Sequence, residues 1–137
     1  MNNKIIFEGK SKLEKVIFDS NSNLFYFYFE EIYLIPTDFW RFSKENKIEQ
    51  ISKDHNIKYH YQKPETDLIP YLIEEIQNEY LIKIEILENK DLILFFSSNK
   101  KIEVFITSMA FENWEVTIKN RQYICLQGGG SITVFDN

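Results

Sequence analysis

Very few side chains in this sequence could bind a transition metal. His55 and His60, with Asp54 beside the first histidine, are the only candidate ligands that lie near one another in the chain. Zinc sites need three or four ligands whose orientation is fixed by further hydrogen bonds, and no spacing rule places Cys125 near the two histidines. We therefore expect no metal site and no bound cofactor.

Two other features could support chemistry, but a structural role explains each of them better. Cys125 lies in the predicted strand 122–126, where a small apolar residue packs well, and no nearby histidine could activate it as a nucleophile. The glycines 128–130 could offer N–H groups to a phosphate, but phosphate-binding loops lead into helices and this one leads into a strand. We expect a bend or bulge there. Since no acid and base can be paired either, the sequence predicts a protein that is not an enzyme.

Length and composition predict one domain over residues 1–137. The first ten residues lack the basic start and long apolar core of a signal peptide, and no apolar run approaches a membrane span of about 20 residues. A single cysteine agrees with a reducing compartment. We therefore expect a cytoplasmic protein without membrane contact.

The net charge of −5 is confined to one part of the chain. Residues 1–60 carry nine basic and nine acidic side chains and residues 92–137 carry four of each, whereas residues 61–91 carry three basic and eight acidic ones. An acidic chain without a basic patch argues against nucleic acid as a partner. A protein with a basic surface is the partner that the acidic segment favours, although a solvated helix face is the simpler interpretation of these charges.

The acidic segment contains the strongest helix signal in the sequence, which predicts a helix over about residues 66–79. Leu68, Leu72, Ile73, Ile76 and Tyr80 recur at spacings of three and four and form one apolar stripe. We expect Glu74, Glu75 and Glu79 on the outer face of this helix and Glu65 and Asp67 at its start. These five carboxylates are the predicted partner-binding residues.

The rest of the chain reads as short strands. They are predicted at residues 5–7, 13–18, 24–29, 32–35, 39–42 and 48–52 before the helix, and at 81–87, 92–96, 102–106, 114–118, 122–126 and 131–135 after it. Gly9 is expected to be a turn, and the weak signal over 43–60 also fits an irregular helix. The strand 24–29, LFYFYF, carries aromatic residues on both faces. It should be a central strand that is covered on both sides, or one whose second face meets a partner.

The strands on either side of the helix follow the same plan, which predicts a diverged internal repeat over about residues 13–52 and 81–127. Three-stranded meanders also resemble one another by chance, but the only two tryptophans, Trp40 and Trp114, fall at matching positions, and Phe42 then matches Val116. The other matches pair Leu13, Lys15, Leu24, Phe27, Ile32 and Leu34 with Leu81, Lys83, Leu92, Phe95, Ile102 and Val104. The predicted fold class is α+β, mainly antiparallel β, with two related β-meanders joined by one amphipathic helix and arranged as one mixed sheet or two packed sheets.

The C-terminal part of the chain resembles small bacterial immunity proteins of polymorphic toxin systems. The shared features are an acidic residue before a tryptophan, a hairpin, a Gly-Gly turn and a short apolar last strand; here they are Glu112, Trp114, residues 119–122, residues 128–130 and residues 132–135. The resemblance implies a non-enzymatic protein that binds and neutralises a cognate toxin, with Trp114 in a structural role. The alternative is a small-ligand-binding or regulatory domain with a pocket between sheets.

Overall fold

A computed structural model of the chain describes residues 3–55, 67–126 and 131–136. These residues form eleven strands and one α-helix, with a single 3-10 turn at Ser52–Asp54. The elements in chain order are β1 (Lys4–Asp19), β2 (Leu24–Phe29), β3 (Ile32–Ile35), β4 (Trp40–Lys44), β5 (Lys47–Ile51), α1 (Ile69–Ile76), β6 (Tyr80–Ile86), β7 (Leu92–Phe96), β8 (Lys100–Val104), β9 (Glu115–Ile118), β10 (Arg121–Cys125) and β11 (Ile132–Asp136).

All eleven strands belong to one sheet, in the order β11-β10-β9-β3-β2-β1-β6-β7-β8-β4-β5. Each neighbouring pair is antiparallel. The prediction of mainly antiparallel β-structure with one helix is therefore confirmed. The α+β class and the option of two packed sheets are wrong, because the described helix has only eight residues and the strands join without a break.

The sheet curls until distant strands meet across a common core. Five strand positions separate β2 from β4, which would place them about 24 Å apart in a flat sheet. Yet the rings of Phe25 on β2 and Trp40 on β4 pack edge to face with their centroids 4.9 Å apart. Inward-facing aromatic and aliphatic residues of both parts of the sheet fill the space between them. The core thus lies on the concave side.

Strand β1 holds the two parts of the sheet together. Its first half, from Lys4 to Lys12, pairs with β6, and its second half, from Leu13 to Asp19, pairs with β2. The turn expected at Gly9 is wrong, because the strand continues through this residue with a register shift between Glu8 and Ser11. Such a bulge bends a strand without ending it.

Apart from the edge strand β11, the two sides of the sheet have the same strand arrangement when followed outward from the β1–β6 pair. On one side the meander β1-β2-β3 is followed by the hairpin β9-β10, and on the other side β6-β7-β8 is followed by β4-β5. Each meander is therefore extended by the hairpin that comes from the other half of the chain. This exchange agrees with a repeat in which β1 to β5 correspond to β6 to β10, although descent from a duplication stays a prediction.

The strand pairing refines the residue matches. The register shift between Leu13 and Lys15 in the β1–β2 pair recurs between Leu81 and Lys83 in the β6–β7 pair. Likewise, the β4–β8 pair Phe42–Ile102 corresponds to the β9–β3 pair Val116–Leu34. The matches at Trp40 and Trp114 fit this register. The sequence-based matches between β2 and β7 are displaced by one residue, because the strand pairing aligns Phe27 with Leu94. Those between β3 and β8 are displaced by two residues. Uneven turn lengths cause these slips.

The helix α1 is shorter than predicted, since it begins at Ile69 and ends at Ile76. The predicted apolar stripe is buried at Leu68, Leu72 and Ile76, whereas Tyr80 already belongs to β6 and is exposed. Pro70 lies in the first turn, where its missing N–H leaves no acceptor unsatisfied. Within the described residues, no helix is long and apolar enough to cross a membrane.

The two tryptophans offer a matched test of one buried hydrogen bond. Both side chains are fully buried, but Trp114 Nε1 donates to the carbonyl of Lys90 at 2.7 Å, whereas Trp40 Nε1 has no acceptor within the described residues. We expect Trp114→Phe to lower the free energy of unfolding by about 1 kcal/mol more than Trp40→Phe does, because only the first change breaks a hydrogen bond. Urea unfolding followed by circular dichroism measures the difference. An equal loss for the two variants would contradict this assignment.

Candidate functional site

The described residues bring no catalytic or metal-binding group together. His55 is almost fully buried, accepts a hydrogen bond from the backbone N–H of Leu68 at 3.1 Å, and packs edge to face against Phe18 and Phe25. Its ring therefore contributes to the core. No group of three His, Cys, Asp or Glu side chains within the described ranges could hold a metal ion. His60 and the glycines 128–130 lie outside those ranges.

Cys125 occupies a buried position on β10, as the sequence predicts for a packing residue. Burial raises the pKa of its thiol to about 11. The side chain is therefore protonated at neutral pH, and a thiol in that state is a poor nucleophile.

The acidic residues of the helix do not form the outward patch that the sequence predicts. Glu75 and Glu79 point to the sheet, where their carboxylates lie 3.3 Å and 3.2 Å from Lys100 Nζ. Lys44 adds a second ion pair to Glu75 at 3.4 Å. Only Glu74 and Asp67 are exposed among the predicted partner-binding residues of the described chain, and Glu65 lies outside it. The placement of Glu75 and Glu79 on an outer face is therefore wrong.

Glu75 and Glu79 face the sheet because of a lysine that lies outside the helix. Lys100 on β8 reaches the end of α1, where its side chain is only 10% exposed and also donates to the carbonyl of Glu75. Desolvation opposes the charge on Lys100, but Glu79 and Glu75 outweigh it, and the pKa of Lys100 rises above its ordinary value. A hydrogen bond from Ser97 lowers the pKa of Glu79 most, and the lysines lower that of Glu75 against its desolvation. These carboxylates stabilise the packing of helix on sheet.

A different surface has the chemistry of a binding site. The outer side of β1, β2, β3, β9, β10 and β11 carries a cross-strand row that runs from Lys15 through Tyr28, Tyr33, Thr117 and Gln122 to Phe135. A neighbouring row adds Ile17, Tyr26, Ile35 and Glu115, and Glu115 Oε1 accepts a hydrogen bond from Gln122 Nε2. We call this surface the tyrosine face; its residues are Lys15, Ile17, Tyr26, Tyr28, Tyr33, Ile35, Glu115, Thr117, Gln122 and Phe135.

The three tyrosines at its centre are packed against one another. The ring centroids of Tyr28 and Tyr33 are 4.7 Å apart, Tyr26 and Tyr33 are stacked at 6.4 Å, and Lys15 Nζ lies 4.7 Å from the Tyr28 ring centroid. Burial, assisted by the Tyr28 hydroxyl, raises the pKa of Tyr33 above its ordinary value. Tyr33 is therefore uncharged at neutral pH, and the three rings support one another by packing.

Part of this face could be anticipated from the sequence. The aromatic residues on both sides of the strand 24–29 predict a second face that is either covered or partner-binding. In the structure Phe25, Phe27 and Phe29 point into the core, while Tyr26 and Tyr28 are partly exposed and no described element covers them. The contribution of Tyr33 and Phe135 depends on strand pairing, for which no local signal exists.

The corresponding surface in the other half of the sheet has a different character. One outer row there contains Lys83, Phe95 and Lys101. The neighbouring row contains Glu85, Ile93, Glu103 and Arg41. By register Ile17 corresponds to Glu85, Tyr33 to Lys101 and Ile35 to Glu103. Arg41 and Glu103 form an ion pair at 2.9 Å on this charged face. The sheet thus tolerates charge at these positions, so folding alone does not explain the aromatic and aliphatic residues of the tyrosine face.

Two concave regions lie at the end of the sheet that carries the β2–β3 and β9–β10 turns. A groove of about 480 Å³ is lined by Tyr28, Tyr33 and Thr117 together with turn residues such as Glu31 and Lys119. A smaller cavity of about 300 Å³ lies nearer the bulge of β1; its apolar wall consists of Phe7, Ile32 and Ile118. The first is continuous with the row of tyrosines, and the second is separate from it.

Comparison with known proteins found no match among family models, curated proteins or solved structures.

The ion pairs of Lys100 yield a prediction for folding stability. Glu75→Gln and Glu79→Gln should each lower the free energy of unfolding by about 1 kcal/mol at neutral pH, because a nearly buried ammonium group loses an ionised partner. Since both pKa values lie below the ordinary 4.5, this stabilisation is complete above that pH and is lost as the pH falls through the lowered values. Urea titrations at neutral and acid pH measure both effects.

Glu74→Gln is the matched control, because Glu74 is exposed on the same helix and has no ion pair to a described residue. It should change the free energy of unfolding by less than about 0.5 kcal/mol. If this control destabilises the protein as much as Glu79→Gln, the ion pairs have no special role.

Proposed function

We propose that this protein is a non-enzymatic inhibitor that binds a partner protein through the tyrosine face, and that the partner is a cognate bacterial toxin. The contrast between corresponding outer surfaces is the observation that supports binding there. One surface is mostly charged and contains an ion pair, as solvent-facing sheets commonly do, and the other is mostly aromatic and aliphatic, with Lys15 and Glu115 as its charged residues. Tyrosine is enriched at protein interfaces because its ring is apolar and its hydroxyl can still form hydrogen bonds.

The packing of the three tyrosines favours a protein partner. Side chains held by stacking lose little conformational entropy on binding, which improves affinity for a preformed surface. The row from Lys15 to Phe135 crosses six strands, so it offers a broad, gently curved area and not a single deep pocket. Such a shape suits a protein surface better than a small molecule.

The nature of the partner rests on the resemblance to immunity proteins of polymorphic toxin systems. The segment that carries this resemblance, residues 112–135, supplies β9, β10 and β11, which are three of the six strands that carry the tyrosine face. The net charge of −5 favours a toxin with a basic surface. Asp67 and Glu74 could still add to the attraction at long range, but Glu75 and Glu79 are neutralised by lysines.

The small cavity beside β1 favours a second candidate function, the binding of a small amphipathic ligand. Phe7, Ile32 and Ile118 give it an apolar wall, and Lys10 and Glu30 lie at its edge. A metabolite that fills it should raise the melting temperature of the protein, and Ile118→Trp should abolish that rise by occupying the space.

The leading proposal is tested with the protein encoded next to this chain's gene, expressed as the toxin. We expect the wild-type chain to form a one-to-one complex with it and to protect cells that produce it. The double change Tyr28→Ala and Tyr33→Ala should raise Kd by about 30-fold or more, because truncation of central aromatic residues at an interface commonly removes at least 2 kcal/mol of binding free energy. Titration calorimetry gives Kd, and growth of the producing cells gives protection.

The chain contains its own matched control. Phe95 and Lys101 occupy the positions on the charged face that correspond to Tyr28 and Tyr33. The double change Phe95→Ala and Lys101→Ala should lower stability to a similar extent but leave Kd unchanged. If both double variants weaken the complex equally, the tyrosine face is not the interface, and if the wild-type chain neither binds nor protects, the toxin-inhibitor function is wrong.

A further inference from the structure

The connection between β8 and β9 displays the most exposed large apolar residues of the described chain. Met109 is 82% exposed and Phe111 is 75% exposed, whereas the next most exposed, Phe135, reaches 49%. Each side chain leaves most of its apolar area in water, which is unfavourable in an isolated protein. An interaction with another molecule would explain why this loop carries them.

The loop is held in its conformation by side chains within it. Asn113 Oδ1 accepts hydrogen bonds from the N–H groups of Thr107 and Ser108, and Asn113 Nδ2 donates to the carbonyl of Leu126. The hydroxyl of Ser108 accepts from the N–H groups of Ala110 and Phe111. The backbone on both sides of Met109 is thus fixed by local hydrogen bonds, so the apolar side chains are presented in a defined arrangement.

The repeat plan indicates that the fold does not require this loop. In the first half, three residues, 37–39, connect Pro36 to Trp40, and Thr37 is buried where its hydroxyl donates to the carbonyl of Phe105 at 2.6 Å. In the second half, nine residues, 105–113, connect Val104 to Trp114. The longer connection closes the same strand exchange, and its additional residues include Met109 and Phe111.

The charge around the loop indicates which surface it fits. Glu112 is the only charged residue between Phe105 and Trp114, and it is exposed beside Phe111. A groove of about 430 Å³ under the loop is lined by polar and apolar residues that include Glu112 and Asp38, and Asp38 is ion-paired with Lys53. Among the described residues, no lysine or arginine lines this groove. A surface that combines an apolar pocket with a flanking basic residue would complement this arrangement.

We infer that Met109 and Phe111 are a pair of anchors that insert into an apolar pocket of the partner protein, and that a lysine or arginine at the rim of this pocket pairs with Glu112. The inference deepens the proposed function and rests on it, because the partner is the same toxin. The loop ends one residue before β9, which contributes Thr117 to the tyrosine face, so one partner can contact both. Phenylalanine and methionine are both enriched at protein interfaces relative to the rest of the surface.

Binding kinetics with the toxin encoded next to this chain's gene test the inference. The double change Met109→Ser and Phe111→Ser should raise Kd by about 100-fold, mainly through faster dissociation, because two anchors lose their pocket. The melting temperature should not fall, since both side chains are already in water. The control is the double change Ile48→Ser and Ile82→Ser, which removes two exposed apolar residues elsewhere (45% and 38% exposed) and should leave Kd unchanged.

Charge is tested separately through Glu112→Gln. This variant should associate about threefold more slowly at low salt and at the wild-type rate at high salt, because ions screen the attraction. Glu45→Gln, which removes an exposed carboxylate in the β4–β5 turn, should have no such effect. Binding that survives the Met109 and Phe111 changes but is lost on changing Tyr28 and Tyr33 overturns the anchor inference and leaves the proposed function intact. A wild-type chain that does not bind the toxin overturns both.

Discussion

The whole architecture depends on one long strand that takes part in both halves of the sheet. β1 satisfies the backbone of β6 with its first half and that of β2 with its second half, and its bulges allow the direction to change between them. If this strand ended at Gly9, two separate meanders would each expose an edge. Because it continues, the sheet curls around a single core in which residues of β2 meet residues of β4. The aromatic contacts of the core are therefore a consequence of one strand's continuity.

The two halves of the sheet are alike on their inner side and different on their outer side. The concave side is apolar in both halves, since every inward position must fill the same core. The convex side is under no such requirement, and its two halves differ at corresponding positions, with Tyr33 against Lys101 and Ile35 against Glu103. The corresponding outer positions of the two halves therefore show that the sheet accommodates both charged and apolar residues there.

Local patterns predicted most of the strands because side chains alternate with a period of two, and the turn residues mark where strands end. The same patterns failed where the decisive partner is distant. Gly9 has the local pattern of a turn, but pairing with β6 keeps it within a strand. Glu75 and Glu79 have the local pattern of an outward patch, but they face the sheet because they form ion pairs with Lys100 on β8 and Lys44 on β4. The aromatic strand 24–29 indicated a second functional face, but the extension of that face to Tyr33 and Phe135 depends on strand order, which no local pattern contains.

The exchange of hairpins between the halves also makes them incomplete without each other. β4 and β5 extend the meander of the second half, and β9 and β10 extend that of the first half, so either half alone would have an open meander and a hairpin without a neighbour. The pairings of β3 with β9 and of β8 with β4 do not depend on the covalent link between Ile51 and Tyr80. In this sense the molecule is an intramolecular dimer, and two fragments divided between β5 and β6 would contain every complementary edge needed to reassemble it.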